Sequence, residues 1–416
     1  MKIIVAHPQQ QHSYRLAVAL KKSGMLAAYC TTVYYRQGSL TSYVARFLPE
    51  KWKKKATSRH CDELSDNEVY QYNELEGLFV LLCHNIPIFR KYYDRIRRYT
   101  EDRFARKVAN LACRLGVDAV IGYDGVSAHL FEEVKRLSPS TVCITDMSAA
   151  NALYLKHVYE LDLQLHPEYE ASLKLWNRIW DPIDIARTKN ELTYSDRFLC
   201  GSFFVQRSLT YSGIAVDKCQ ICPYGVDFST FPYIPRKAKK AEDPIIFVYV
   251  GQVAEHKGIS CLIESFKEID PERACLICVG DVRLPRQILN ELPASITMTG
   301  SISHDEVSSV LLSADVMLFA SLGDGFSLSI MEALSSGLPV VCSENTGSAD
   351  CIVDGYNGFV VPVFSNQSMI AKINWFIEHR DDIPIMAENA RESVQHFTWD
   401  DYYRNAALAV HRLIEG

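Results

Sequence analysis

No run of apolar residues in this 416-residue chain approaches the roughly 20 needed to cross a bilayer. The opening "MKIIVAHPQQQ" has too short an apolar stretch for a secretory signal and reads as a buried first strand, so a cytoplasmic protein is expected. An excess of positive charge is also missing. Lys and Arg number 44 against 50 Asp and Glu, a net charge of −6, which argues against a nucleic-acid partner. Internal repeats and low-complexity tracts are absent too. Positive charge gathers only locally, in "KWKKK" at 51–55 and "RKYYDRIRRYTEDRFARK" at 90–107. These stretches read as solvated helix faces. Their other reading is a patch for a membrane surface, since basic amphipathic segments attract anionic headgroups.

Metal-binding patterns are scarce in spite of 13 cysteines. Cys219/Cys222 and Cys275/Cys278 have C-x-x-C spacing, but "ACLICVGD" reads as a buried strand, where positions i and i+3 face opposite sides. Such a pair cannot offer both thiolates to one ion, so ordinary buried cysteines and no metal are expected. "RDD" at 380–382 reads as a solvated turn rather than a strand-end metal motif.

What is abundant is alternation of apolar strands with amphipathic helices. A hydrophobic fraction of 48% with 23% charged residues suits a globular protein, and 416 residues exceed what one core usually serves. "KIIVA", "DAVIGY" and "TVCITD" form one strand series; "PIIFVYVG", "ACLICVG", "SITMTG", "DVMLFAS" and "PVVCS" form another. Continuous apolar strands separated by helices imply parallel sheets covered on both faces. The fold class is therefore α/β with two doubly wound, Rossmann-like domains, 1–222 and 223–396. They join around "CPYGVDFSTFPYIPRKAKKAEDP", with a terminal helix at about 397–416.

The stretch "SLGDGFSLSIMEALSSGLPVV" from Ser321 carries the sharpest chemistry. A strand, a glycine turn and a helix N-terminus direct free main-chain N–H groups and a positive helix end at one point, which suits a diphosphate. Asp324 sits in the turn, and Glu332 lies on the helix, where a carboxylate can accept two hydrogen bonds from a vicinal diol. Three plainer roles compete. Ser329 to Glu332 has capping-box spacing; Asp324 can be a turn residue; and Gly323-x-Gly325-x-x-Leu328 nearly matches a dinucleotide fingerprint but lacks its third glycine. Upstream, "YVGQVAEHKGISCLIESF" repeats the strand–loop–helix logic, with Lys257 placed to meet a phosphate.

Taken together, "PYGVDFSTF", "GQVAEHKGISCLIESF", "VGD", "MTGSISHDEVSSVLLSADVMLFAS", "DGFSLSIMEALSSGLPVV" and "DCIVDGYNGFVV" resemble the ordered motifs of the retaining, nucleotide-sugar-dependent glycosyltransferases of family 4, the group 1 glycosyltransferases. The resemblance is clearest over 245–362. It implies a GT-B fold with a deep interdomain cleft, an acceptor-binding first domain on which the terminal helix packs back, and a donor-binding second domain. It further implies a role in polysaccharide biosynthesis, using a nucleotide diphosphate-sugar and a saccharide or lipid-linked saccharide acceptor, with no cofactor. Glu332 would hold the ribose hydroxyls, Lys257 the diphosphate, and Asp324 hydroxyls of the transferred sugar. The backbone of Gly325, Phe326, Ser327 and Leu328 would cradle phosphate and sugar, and Gly300, Ser301 and Ile302 would approach the base.

The sequence departs from the family at several points. Gln252 replaces a phosphate-binding arginine, with Arg283 and Arg286 as substitute cations. Asp324 is shorter than the family's glutamate, "HPQQQHS" stands where a glycine pair is usual, and "ITDMSAAN" replaces a histidine segment. Asp146 therefore joins Asp324 and Lys257 as an expected catalytic residue. A sugar-nucleotide-binding module that has lost catalysis is the alternative. An enzyme acting on lipid-linked acceptors would work at the inner face of the membrane, as a peripheral protein.

Overall fold

The computed structural model describes residues 1–416 except Gln11, Trp176 and Asn177, and at Lys51 the main chain only. Seven strands, β1 (Ile3–Ala6), β2 (Leu26–Thr31), β3 (Val69–Gln71), β4 (Ala119–Tyr123), β5 (Val142–Met147), β6 (Arg197–Cys200) and β7 (Cys219–Ile221), make the first sheet. Six more, β8 (Ile245–Val250), β9 (Ala274–Val279), β10 (Ile296–Gly300), β11 (Val316–Phe319), β12 (Val340–Ser343) and β13 (Gly358–Val361), make the second. Every pairing is parallel. The spatial orders are β3-β2-β1-β4-β5-β6-β7 and β10-β9-β8-β11-β12-β13, so each half is doubly wound with a reversal of strand order at its centre. Open α/β sheets bind ligands beyond the strand C-termini at that reversal. The reversals lie between β1 and β4 in one half and between β8 and β11 in the other.

The apolar runs explain the strands. In β8, Ile245, Phe247, Val248 and Tyr249 are fully buried, and β11 and β12 are buried throughout. Burying each such side chain contributes about 1.5–3 kcal/mol relative to leaving it exposed. The helix Trp399–Glu415 opens with a capping box between Thr398 and Asp401. It packs Tyr402, Tyr403, Ala406, Ala409, Val410 and Leu413 inward. Its N-terminus runs beside the joining segment, where Val226 bridges Thr398. Arg15 of the first half donates to Tyr403 Oη at 2.6 Å and lies over the Trp399 ring.

The joining segment is held rather than loose. Arg236 donates to the carbonyls of Gly337 (2.9 Å), Leu311 (3.0 Å) and Ala314. Arg380 donates to the carbonyls of Lys240, Ala241 (3.1 Å) and Asp243 (2.9 Å). The arginine of "RDD" therefore anchors the tether instead of standing in a solvated turn.

A second correction concerns the basic stretch at 90–107. Most of it lies on the helix Tyr93–Leu115, but Arg97 is only 1% exposed. It donates to Asp184 (2.6 and 2.9 Å) and Glu101 (3.1 and 3.2 Å). Arg98 pairs with Asp181 at 2.9 Å, and Arg103 with Glu76 at 2.7 Å. Acids from distant segments take up these charges, so this part of the run is structural and not a lipid-facing patch.

Candidate functional site

The turn after β11 is fixed by its neighbours. Asp324 N–H donates to the Asn345 carbonyl at 2.9 Å, and the Asp324 carbonyl accepts from Gly347 N–H at 2.8 Å. The helix that follows runs Leu328–Ser335, with Ser327 as N-cap. Its first N–H groups have no intrahelical acceptor. Among the described residues, none accepts from the main-chain N–H groups of Phe326, Ser327 and Leu328.

Lys257 Nζ donates to Asp324 Oδ2 at 2.5 Å, with both side chains partly exposed. Lys257 closes a short turn before the helix Ile259–Lys267, and Gly258 there has φ +66°. A Cβ at Gly258 would lie 1.9 Å from the Ala320 carbonyl oxygen, so only glycine lets this turn meet the end of β11. The neighbouring His256 is pushed down to about 4, first by burial and next by the charge of Lys257. It is therefore uncharged at neutral pH, which leaves Lys257 as this turn's cation.

Glu332 pairs with His304 Nε2 at 3.5 Å. Burial raises its pKa, and His304 opposes the rise. The capping-box role for Glu332 is overturned, because the helix starts at Leu328 and Ser329 lies inside its first turn. His304 opens the helix that follows Gly300, Ser301 and Ile302, so that loop and Glu332 share one side of the second half. Gly300 has φ +74°, and Ser301 is exposed. Gln252 is exposed just beyond β8. Of the two substitute cations, Arg283 reaches this loop: its N–H donates to the Val253 carbonyl at 2.8 Å, and its guanidinium pairs with Asp281 at 2.6 Å. Arg286 starts a separate short helix and is exposed.

The first half closes over the turn. Ser202 Oγ donates to the Gly325 carbonyl at 2.7 Å, Phe203 N–H to Asp350 at 2.8 Å, and Tyr154 Oη to Asn345 at 3.1 Å. A Cβ at Gly325 would stand 2.5 Å from the Ser148 carbonyl oxygen. The Tyr224 ring packs on Phe326. Asp146, at the end of β5, is 2% exposed behind Tyr224, Tyr123 and Tyr402. Burial pushes it up to about 8, with the Asp124 charge adding to the rise. Among the described residues no hydrogen bond links Asp146 to Lys257 or Asp324. At pH 7 its carboxyl is mostly uncharged, so it is suited to donating a proton or a hydrogen bond rather than to countering positive charge.

The sequence reading missed a pair of acids between the halves. Asp162, on the helix Ala152–Leu165, faces Glu255, two residues before Lys257; the two are 1% and 0% exposed. Glu255 accepts from Ser260 Oγ at 2.5 Å, and its N–H donates to Ser172 Oγ at 3.0 Å. Burial pushes Asp162 up to about 7 and Glu255 well above the usual carboxylate range, with Glu168 nearby adding negative charge. No local pattern signals this pair, because its members are 93 positions apart (255 − 162).

Folding raises both carboxyl pKa values, so the native state binds more protons than the unfolded chain. Stability is full below pH 4 on this account and falls as pH rises toward 7. Thermal melts from pH 4.5 to pH 8 are expected to show a falling Tm. Asp162→Asn should flatten the fall and raise Tm at pH 8 by about 1 °C per kcal/mol released. Some slope will persist from Asp146 and Glu191, both pushed up to about 8. An unchanged slope would remove Asp162 from this role.

Comparison with known proteins follows the same division. The family described as glycosyl transferases group 1 matches residues 231–393. The colanic acid biosynthesis glycosyltransferase WcaL of Salmonella typhimurium is 28% identical over 197 residues, which is 44% of this chain and 48% of that protein. The chain spans between about a third and about half the length of the curated relatives it matches. Among solved structures, sucrose-phosphate synthase from Thermosynechococcus elongatus superposes with a TM-score of 0.65 at 16% identity, covering 99% of both chains. Anabaena HepE, solved with UDP and glucose, superposes with a TM-score of 0.60 at 15% identity, again over 99% of both. The family resemblance holds: residues 231–393 match the group 1 glycosyl transferases, and the two sheets together take the GT-B fold.

Proposed function

We propose that the protein transfers a sugar from a nucleotide diphosphate-sugar to a hydroxyl of a saccharide or lipid-linked saccharide, with retention at the anomeric carbon. The observation that carries this reading is the Lys257–Asp324 pair beside a helix N-terminus with free N–H groups, at the strand reversal of the second half. Lys257 and Arg283 counter the diphosphate, Glu332 takes the ribose hydroxyls, and Asp324 orients hydroxyls of the sugar. Gly300 to Ile302 face the base. The anomeric carbon's bond to phosphate breaks while the acceptor oxygen bonds to that carbon on the same face, and the acceptor proton passes to the leaving phosphate. The protein's part is positioning and charge stabilisation. Asp146, buried beneath Tyr224 and largely uncharged near neutral pH, is a proton-holding group of the first half near the turn. The reading calls for no cofactor and no metal. Structurally similar proteins solved with UDP and glucose (HepE) and with UDP and GlcNAc (the pneumococcal O-GlcNAc transferase) support the donor class.

A panel of nucleoside diphosphates screened by thermal shift tests the donor site. One of them is expected to raise Tm, since a ligand at a hundred times its Kd stabilises by about 2.7 kcal/mol. Glu332→Ala should abolish that shift and leave the ligand-free Tm nearly unchanged. A panel with no shift, or a full shift in Glu332→Ala, would sink the assignment. A second reading, a binding module without catalysis, draws on the neutral Gln252. Thermal shifts with no transfer or hydrolysis of any donor sugar would favour it.

A further inference from the structure

The helix Glu74–Asn85 buries Gly77, Val80 and Cys83, and a Cβ at Gly77 would lie 2.5 Å from Thr32 Oγ1, so that face is pressed onto the first half. Its other face is apolar as well, yet open. Leu75, Phe79, Leu82 and Ile86 follow at steps of four, three and four residues and are all exposed, with Ile88 beyond them at 73%. Thr41 ties the neighbouring helix Leu40–Ala45 to this one by donating from N–H and Oγ1 to Glu74 Oε1, both at 2.6 Å. That helix adds exposed Tyr43, and just past its end Phe47 is 74% exposed.

Around this apolar face the charge is positive. Arg46, Lys53, Lys54, Lys55 and Lys91 are exposed, and none is in an ion pair among the described residues. Lys55 and Arg90 stand near His84 at the helix end: that imidazole is lowered first by burial, then by the charges of Arg90, Arg178 and Lys55. Arg90 is itself close enough to Arg283 to feel its charge, which sets this face beside the mouth of the cleft. In a chain of net charge −6, a local excess of this kind against an apolar helix face is complementary to one chemistry, an anionic lipid surface.

We propose that the open face of helix Glu74–Asn85, with Tyr43, Phe47 and the lysines at 53–55, docks the protein on anionic membranes and presents the cleft to membrane-borne acceptors. No helix among the described residues is long and apolar enough to span a membrane, so the attachment is interfacial. Of the two basic stretches the sequence offered as a membrane patch, this surface keeps Lys53, Lys54 and Lys55 and leaves out Arg97, Arg98 and Arg103, which are paired with acids. It lies outside the donor site, so the docking itself stands independently of the donor reading, while presenting the cleft to acceptors rests on the proposed transfer.

The test is co-sedimentation of the full chain, without nucleotide, with vesicles of phosphatidylcholine alone or containing phosphatidylglycerol. Wild type should bind the anionic vesicles and be released by salt. Lys53→Gln/Lys54→Gln/Lys55→Gln should weaken binding on the order of a hundredfold, at about fivefold per lysine. Leu75→Ser/Phe79→Ser should weaken it about tenfold or more at low salt. Both variants should melt like wild type, since every changed side chain is at the surface. Absence of wild-type binding, or full binding by both variants, overturns the proposal. A solution dimer that Leu75→Ser/Phe79→Ser dissociates would assign the face to a second copy instead and overturn it equally.

Discussion

Lys257→Ala is expected to lower kcat/KM for sugar transfer by about a hundredfold to a thousandfold, as loss of a single transition-state donor does in water-excluded sites. The argument begins with the sequence, which puts Gln252 where the family has a second phosphate-binding cation. A glutamine donates a hydrogen bond but carries no charge, so in the proposed reaction the charge growing on the departing diphosphate would fall to Lys257 and, from the next loop, Arg283. The effect should exceed a simple charge deletion, because removing the lysine also exposes the phosphate to Asp324, now without its 2.5 Å partner. Asp324→Asn should therefore cost less in donor affinity than Lys257→Ala, and the double variant should bind donor better than Lys257→Ala alone. Stability should hardly register the change, since partly exposed ion pairs contribute about 0–1 kcal/mol. Steady-state kinetics with the donor found by thermal shift, together with a melt, decide the matter. A loss in kcat/KM smaller than about threefold would mean that Lys257 does not meet the leaving group.

That prediction rests on a region whose layout was readable in advance. The strands β8, β9, β11 and β12 announce themselves as short apolar runs, because parallel strands buried on both faces need no alternation. The turn at Gly323–Gly325 and the helix after it follow from glycine and capping chemistry. Other features were hidden for identifiable reasons. β3 and β7 are three-residue edge strands, too short to show a pattern. Glu332 has capping-box spacing from Ser329, yet the chain uses Ser327 as N-cap, because the helix starts where the turn at Asp324 is pinned by Asn345 and Gly347. Asp162 and Glu255 meet only because the halves close. The arginines at 97 and 98 looked like free surface charge, since their acids, Asp181 and Asp184, lie more than 80 residues further along the chain. Helical periodicity gives the face a residue occupies, not what distant segment arrives to cover it.

Arg97 is where that blind spot has the largest consequence for stability. Its guanidinium is buried between Glu101, on the next helical turn, and Asp184, on the helix Pro182–Tyr194, with Asp94 at 3.3 Å. Burial works against its charge, but the carboxylates outweigh that and hold its proton more tightly than usual. Glu101 is raised by burial and pulled back chiefly by Arg97. Arg97→Met keeps the volume of the stem but strands the buried Glu101 carboxylate and the partly buried Asp184, which costs about 3–5 kcal/mol. For a chain of 416 residues that is a fall in Tm of roughly 3–6 °C. Arg187 still donates to Glu101 at 3.4 Å and Arg98 to Asp184 at 3.4 Å, so the fold should survive at lower temperature. Arg95→Met on the exposed side of the same helix should melt within about 1 °C of wild type, as surface substitutions do. The cost belongs to the uncompensated acids and not to the missing arginine. The double variant Arg97→Met/Glu101→Met should therefore recover part of the loss, since a buried ion pair exchanged for apolar groups is often neutral. If Arg97→Met melts like Arg95→Met, or if the double variant is worse than both single changes combined, the buried network does not hold these two helices together.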